Sequence, residues 1–220
     1  MNKTLLANFG IALLSLLLSP IILAETTTPT PTPPSEKSVV FLGDSLTAGY
    51  GVDPAEAYPS LVRQKIREAH LPFEVQNAGL SGDTSAAALR RVDWLLQRPI
   101  DILVIALGGN DGLRGLPIAS LKTNLQSIID KVKAKNPAVK IIIAGMQIPP
   151  NLGADYAKEF EQIYPAVART NHATLIPFLL EGVGGHRDLN QSDLIHPSAA
   201  GHRIIADLVW RTLEPILRKT

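Results

Sequence analysis

A serine at the end of an apolar, β-branched run is the first residue that could carry chemistry. The run Val39–Leu42 stops abruptly at Gly43-Asp44-Ser45, and a loop rich in small residues follows. A serine hydroxyl is a poor nucleophile at neutral pH and needs a base within hydrogen-bond reach. Ser45 is therefore either a turn residue or a nucleophile whose base, most naturally a histidine, comes from elsewhere in the chain.

His196 is the best candidate base among the five histidines. In the run Asp193-Leu194-Ile195-His196-Pro197 an acid precedes it by three residues, and such an acid can fix the imidazole tautomer and stabilise its charged form. Pro197 favours an extended His196 and can begin the next helix. The same spacing also fits a helix cap by Asp193 beside a surface histidine, and spacing alone does not separate the two interpretations.

Acyl transfer also requires hydrogen-bond donors for the negative charge that develops on the carbonyl oxygen. The glycine-rich run Asn77–Thr84 can present a backbone N–H without a side chain in the way. Asn110, in Gly108-Gly109-Asn110-Asp111, could add a side-chain amide. Both runs also fit ordinary structural roles, a helix start and a turn.

Short apolar runs alternate with longer amphipathic ones after residue 38, which predicts strands alternating with helices. This order is typical of a parallel sheet with right-handed crossovers, so we expect an α/β fold: a flavodoxin-like three-layer α/β/α sandwich around a central five-stranded parallel sheet. The predicted strands are Val39–Leu42, Phe73–Gln76, Ile102–Leu107, Val139–Ala144 and Thr174–Ile176. The predicted helices are Tyr58–Ala69, Ser85–Gln97, Ile118–Lys135, Tyr156–Asn171 and Ala199–Leu217.

Ligands of such sheets bind beyond the carboxyl ends of the strands. The three polar runs that contain Ser45, Gly82 and Asn110 each follow one of the first three predicted strands, and Asp188–Pro197 precedes the last helix. We therefore expect all four to converge on one edge of the sheet.

These residues resemble the GDSL, or SGNH, hydrolases. Gly43-Asp44-Ser45-Leu46 is similar to the family's defining block, and Ser45, Gly82, Asn110 and His196 match its four name-giving positions in order. The resemblance runs from Val39 to the C-terminus and is greatest to the periplasmic thioesterase I/lysophospholipase and arylesterase branch. Residues 43–47 read GDSLT, which disfavours the Gly-x-Ser-x-Gly elbow of the α/β-hydrolase fold.

The resemblance implies a serine esterase that works through an acyl-enzyme and needs no cofactor or metal. Ser45 would be the nucleophile, His196 the base and Asp193 the orienting acid. The Ser45 N–H, the Gly82 N–H and the Asn110 side chain would form the oxyanion hole. The substrates would be acyl esters, with thioesters and lysophospholipids as further candidates.

Apolar residues near these motifs are candidates for substrate binding or, equally, for core packing: Leu80, Leu113, Leu116, Ile148 and Pro149. Two alternative functions remain open. One is a carbohydrate O-acetylesterase on the same scaffold. The other is a non-catalytic flavodoxin-like module that binds phosphate or flavin, although Asp44 would repel a phosphate.

The amino-acid composition limits the kinds of molecule that the protein is expected to bind. Lys and Arg number 21 against 20 Asp and Glu, and no basic face indicates nucleic acid. The absence of cysteine excludes disulfides and thiolate chemistry, and the histidines lack metal-ligand spacing. We expect a monomer that contacts membrane lipid only transiently.

The N-terminus predicts export. A single lysine, an apolar stretch and Ala24 before polar sequence are typical of a secretory signal peptide, which we place at residues 1–24. A Thr/Pro-rich linker, residues 25–37, would follow, and a hydrolase domain, residues 38–220, would then lie in the periplasm or outside the cell. A retained membrane anchor is the alternative, since the apolar stretch approaches spanning length.

Overall fold

The computed structural model describes residues 37–220, so the predicted signal peptide and most of the predicted linker lie outside the described residues. The strands are β1 Lys37–Gly43, β2 Phe73–Gly79, β3 Ile102–Ala106, β4 Lys140–Ala144 and β5 Thr174–Ile176. The helices are α1 Ser45–Ala48, α2 Tyr58–Glu68, α3 Ser85–Leu95, α4 Gly109–Leu113, α5 Ile118–Lys135, α6 Ala154–Asn171 and α7 Ala199–Leu217, with a 3₁₀ turn at Pro150–Leu152.

The five strands form one parallel sheet in the order β2-β1-β3-β4-β5, which confirms the predicted α/β fold. Strand β2 lies beside β1 at one edge of the sheet, and β3 lies on the other side of β1. Right-handed crossovers therefore place α2 on one face and α3, α5 and α6 on the other. Helix α7 packs against α2, whereas α5 packs against α3 and α6, so the sheet is covered on both faces. All five residues of β3 are buried, as expected for a central strand.

The chain reverses direction between β1 and β3, and in open α/β sheets such a switch point, at the carboxyl ends of the strands, is where ligands bind. Ser45 follows β1, and Asn110 follows β3. The amino end of β1 lies at the opposite edge, where the Lys37 side chain donates a hydrogen bond to the Thr220 carbonyl. Lys37 is thus the first strand residue, although the sequence placed it in the linker.

Apart from shifts of one or two residues at the ends of other elements, three elements differ from the sequence prediction. Strand β2 continues three residues beyond Gln76, because Asn77–Gly79 keep parallel register with Phe41–Gly43. The short helices α1 and α4, of 4 and 5 residues, were not predicted. A helix of one turn is too short for a 3.6-residue pattern to emerge.

Within residues 37–220, no helix combines the length and the apolar character needed to cross a lipid bilayer.

Candidate active site

Ser45 is the first residue of α1 and is half-buried. Asp44 caps this helix, because its Oδ1 accepts a hydrogen bond from the Leu46 N–H at 3.1 Å. The Asp44 side chain is 2% exposed, and its burial raises the pKa of this carboxyl to about 6. The residue beside the serine is therefore a strongly desolvated acid.

Helix α1 is held on β2 by a close backbone approach. The Asn77 side-chain amide donates to the Thr47 carbonyl at 2.8 Å. A Cβ on Gly79 would lie 2.2 Å from the Ala48 nitrogen, so only glycine lets the helix sit this close to the strand. The Thr47 hydroxyl forms a buried 2.9 Å hydrogen bond with the Tyr58 hydroxyl. These contacts fix the position from which the Ser45 hydroxyl emerges.

His196 and Asp193 are brought to Ser45 as a hydrogen-bonded chain. The His196 Nε2 lies 3.0 Å from Ser45 Oγ, and its Nδ1 lies 2.6 Å from Asp193 Oδ2. The base and nucleophile are 151 residues apart in the sequence. Distances of this size allow proton transfer between serine and imidazole.

Asp193 organises the loop that carries His196. Its Oδ1 accepts hydrogen bonds from the backbone N–H groups of Ile195 at 2.9 Å and His196 at 3.0 Å. These bonds, with the bond from the His196 ring, lower the pKa of Asp193 to about 2. Ser198, rather than Asp193, caps α7, so the helix-cap interpretation of Asp193 is wrong.

The same loop is tied to the segment that follows α1. The Gln191 N–H donates to the His196 carbonyl, and the Gln191 side-chain amide donates to the Tyr50 carbonyl, both at 2.7 Å. The Tyr50 ring lies against the His196 ring, with a centroid separation of 4.7 Å, and is 53% exposed. The two loops that supply the base and the nucleophile are thereby held together.

Two backbone donors in the loops after β1 and β2 have no hydrogen-bond partner in the described part of the chain. The N–H groups of Ser45 and Gly82 have no acceptor in hydrogen-bond range among residues 37–220. Gly82 has a φ of +85°, a left-handed conformation that glycine adopts without strain. The unpartnered N–H of Ser45 belongs to the nucleophile itself, and that of Gly82 comes from the loop after β2; donors of this kind are suited to bind a developing oxyanion.

Asn110 links the Ser45 and Gly82 segments. Its Nδ2 donates to the Asp83 carbonyl at 3.0 Å and approaches the Asp44 carboxylate at 3.4 Å. Asp44 and Asp83 are the chain neighbours of Ser45 and Gly82 respectively. The structure thus brings together the residues that the sequence analysis selected from four separate runs.

Arg91, which the sequence analysis missed, braces the strand ends beneath the site. Its guanidinium donates to the carbonyls of Gly43 at 3.2 Å and Ala78 at 2.8 Å, and it pairs with Asp83 at 2.6 Å. No local pattern marks this role, because it depends on which strand ends the fold places against α3.

The apolar candidates for substrate binding are divided between the surface and the core. Leu80 and Leu113 are 52% and 46% exposed, Pro149 is exposed, and Leu116 is half-buried. Ile148 is buried in the core, where its side chain fills the space beside Gly112.

A flavodoxin-like strand order with a Ser–His–Asp chain at the carboxyl edge of the sheet is the arrangement of an α/β serine hydrolase. Residues 41–204 match the model of the GDSL-like Lipase/Acylhydrolase family. The chain belongs to this family and is an enzyme of the SGNH/GDSL esterase type.

Named relatives extend over most of the chain. It is 40% identical over 183 residues to Esterase TesA of Pseudomonas aeruginosa, covering 82% of this chain and 90% of the relative. It is 35% identical over 181 residues to thioesterase 1/protease 1/lysophospholipase L1 of Escherichia coli K12, covering 82% and 85% of the two chains.

A solved relative has the same fold. The crystal structure of the psychrotrophic esterase EstA from Pseudoalteromonas sp., inhibited by monoethylphosphonate, superposes with a TM-score of 0.78 at 33% identity. The match covers 83% of this chain and 99% of that one. These relatives give no support to a flavodoxin-like binding module or to a carbohydrate O-acetylesterase.

Proposed function

We propose that the protein is a serine hydrolase that cleaves acyl esters through an acyl-enzyme, with Ser45, His196 and Asp193 as its catalytic residues. The observation that carries this proposal is the continuous chain from Ser45 Oγ through both nitrogens of His196 to Asp193, at 3.0 and 2.6 Å. The family of the chain supports the same reaction.

The first half of the reaction forms the acyl-enzyme. Ser45 Oγ attacks the carbonyl carbon of the substrate, and its proton passes to His196 Nε2. Asp193 accepts the Nδ1–H and stabilises the imidazolium. When the tetrahedral intermediate collapses, the bond to the leaving oxygen or sulfur breaks, and His196 gives its proton to the leaving group.

The second half returns the enzyme to its starting state. Water loses a proton to His196 and attacks the acyl carbon, and the bond to Ser45 Oγ breaks as His196 returns the proton to that oxygen. The N–H groups of Ser45 and Gly82 stabilise the oxyanion in both halves. The Asn110 amide adds the N–H that makes only the long 3.4 Å contact with Asp44, because its other N–H is held by the Asp83 carbonyl at 3.0 Å. No metal or cofactor enters these steps.

Acyl chains of the substrate would lie against apolar side chains of the segments that follow the strands; of these candidates Leu80, Leu113 and Pro149 are exposed, Leu116 is half-buried and Ile148 is buried. Half-exposed apolar groups of this kind favour an acyl or lipid substrate over a sugar. Thioesters and lysophospholipids are included among the proposed substrates, because the name of the E. coli relative contains both activities.

The test is hydrolysis of p-nitrophenyl esters, from acetyl to palmitoyl, by the protein without residues 1–24 and by its Ser45→Ala variant. We expect Ser45→Ala to abolish turnover, whereas Ser120→Ala, which removes an exposed hydroxyl on α5, should leave it unchanged. A phosphonate ester should label Ser45 covalently, and mass spectrometry would locate the adduct. Activity in Ser45→Ala, or an adduct on another residue, would refute the assignment.

We also propose that residues 1–24 direct export and are removed, and that the enzyme works in the periplasm or outside the cell. Expression of the full chain in a bacterium, followed by fractionation and N-terminal sequencing, tests this. A mature N-terminus near Glu25 in the periplasmic or culture fraction is expected. An intact Met1 in the membrane fraction would instead favour a retained anchor.

A further inference from the structure

The guanidinium of Arg114 lies between the two segments that carry the proposed oxyanion donors. Its Nη2 donates to the Gly82 carbonyl at 3.1 Å and to Asn110 Oδ1 at 3.5 Å. Gly82 belongs to the loop after β2, whereas Asn110 belongs to α4 after β3. Arg114 has no carboxylate within 4.0 Å among residues 37–220, so no ion pair neutralises its charge there.

The contacts of Asn110 define which way its amide faces. Two acceptors, the Asp83 carbonyl and the Asp44 carboxylate, lie at the nitrogen end, and one donor, Arg114, lies at the oxygen end. A flipped amide would place oxygen against both acceptors and nitrogen against a cation. It would also replace the proposed oxyanion donor with an acceptor. Arg114 is the only described group that bonds the oxygen end.

The Gly82 segment is held by the same group. A Cβ built on Gly82 meets only Arg114 Nη2 within 4 Å, at 4.0 Å, so little else packs on this face of the glycine. Glycine is the residue with the most backbone freedom, and here it adopts a left-handed φ of +85°. A bond to its carbonyl therefore restricts a loop that must keep its N–H directed at the oxyanion.

We infer that Arg114 is a positioning residue that keeps both Gly82 and Asn110 in the orientation in which they donate hydrogen bonds to the oxyanion. This inference rests on the proposed function, in which Gly82 and Asn110 stabilise the oxyanion. Arg114 acts through these two residues and does not touch the substrate. Arg114 would therefore help to stabilise the transition state and not the bound substrate. Replacing Arg114 is expected to lower kcat and to leave KM unchanged.

The first experiment compares Arg114→Ala and Arg114→Lys with Arg90→Ala, which removes an exposed arginine on α3. The substrate is p-nitrophenyl acetate, which is neutral. We expect Arg114→Ala to lower kcat about tenfold, which is less than the effect of losing one oxyanion donor. The KM of Arg114→Ala should stay within about twofold of the wild-type value. Arg114→Lys should be intermediate, and millimolar guanidinium should partly restore Arg114→Ala only. Because Arg114 is exposed, both variants are expected to keep the wild-type melting temperature.

The second experiment is a double-mutant cycle with Asn110→Ala. If Arg114 acts through the oxyanion hole, its tenfold effect should shrink to less than about threefold when Asn110 is already absent. Equal effects in both backgrounds, a change in KM alone, or wild-type kcat in Arg114→Ala would overturn the inference.

The same data separate this inference from the proposed function. If Asn110→Ala is severely impaired and Arg114→Ala is normal, only the role of Arg114 fails. If Asn110→Ala itself is fully active, the oxyanion assignment fails, and the role of Arg114 fails with it.

Discussion

Asp193 accepts hydrogen bonds from both the imidazole Nδ1 and the backbone N–H of His196, at 2.6 and 3.0 Å. One carboxylate thus sets the conformation of the loop and the orientation of the ring that the loop carries. With Nδ1 protonated toward the carboxylate, the unprotonated Nε2 faces Ser45 as a base. A three-residue spacing is therefore sufficient for a complete acid–base pair.

Replacing Asp193 by asparagine should abolish most activity. Asparagine would keep an oxygen for the backbone N–H groups, but its NH₂ would face Nδ1 and favour the tautomer with the proton on Nε2, which cannot act as a base. We expect kcat to fall about ten-thousandfold, the effect of such a tautomer change in a serine protease triad. The measurement is p-nitrophenyl acetate turnover, with the exposed Asp188→Asn as control. A loss below about tenfold would contradict the role of Asp193.

Two substitutions of Asn110 distinguish donation from mere packing. Asn110→Ala should lower kcat about a hundredfold or more, because one oxyanion donor is lost. Asn110→Asp, which has nearly the same shape, should be impaired at least as much at pH 8, because a second negative charge would lie beside Asp44 and the oxyanion. Steady-state kinetics give both values. Near-normal turnover in Asn110→Asp would show that shape, and not the amide donor, matters.

His202 should make the folded state less stable as the pH falls. It is fully buried in α7, its Nδ1 accepts from the Tyr58 N–H at 3.3 Å, and burial lowers its pKa from 6.5 to about 4. Between these pH values the unfolded chain binds a proton that the folded state excludes. Stability is therefore lost as the pH falls from 6.5 to 4, by about 3 kcal/mol.

The test is urea unfolding of the wild type and of His202→Asn between pH 4 and 7. Asparagine keeps an acceptor for the Tyr58 N–H but does not titrate in this range. The variant should lose less stability than the wild type toward pH 4. His186→Asn, at an exposed histidine, serves as control. Parallel pH curves for the wild type and His202→Asn would contradict the prediction.

Asp44 should have the opposite effect over nearly the same range. Burial raises its pKa from 3.8 to about 6, so the folded state holds a proton that the unfolded chain has lost. Stability is therefore lost as the pH rises from 3.8 to 6, by about 3 kcal/mol when the group is fully ionised.

Asp44→Asn keeps the oxygen that caps α1 but has no carboxyl to ionise in the folded state. The stability of this variant relative to the wild type should therefore increase from pH 4 to pH 7. Asp53→Asn is a matched control, because Asp53 accepts the same i+2 backbone bond, from Ala55 at 2.8 Å, on an exposed loop. Urea unfolding again gives the values, and a pH-independent difference would refute the prediction.

The sequence was sufficient to predict the sheet and the long helices, and it also selected the residues that we propose for the site. Periodicity located α5 at Ile118–Lys135 and α7 at Ala199–Leu217 to the residue, because both are long and amphipathic. Ser45, Gly82 and Asn110 could be selected because each lies in a polar run that follows a strand, and the strand ends of a parallel sheet meet at one edge. Asp193 and His196 were selected from their three-residue spacing in the run before α7.

Contacts between distant segments could not be predicted in this way. Arg91 reaches Gly43 across 48 residues, and Arg114 reaches Gly82 across 32. An exposed or partly exposed arginine on a helix has no local signal that specifies which backbone carbonyl it will meet. Such contacts follow from the spacing of neighbouring strands, which exists only once the sheet has formed.

The contact between Lys37 and Thr220 has a practical consequence for attaching the enzyme to a carrier. Both ends of the described chain meet at the amino edge of the sheet, whereas Ser45 lies beyond the carboxyl edge. The seven residues of β1 separate these edges by about 20 Å at the usual rise per residue. A resin, a fusion partner or a surface coupled at either end of the described chain should therefore leave the catalytic face open to substrate.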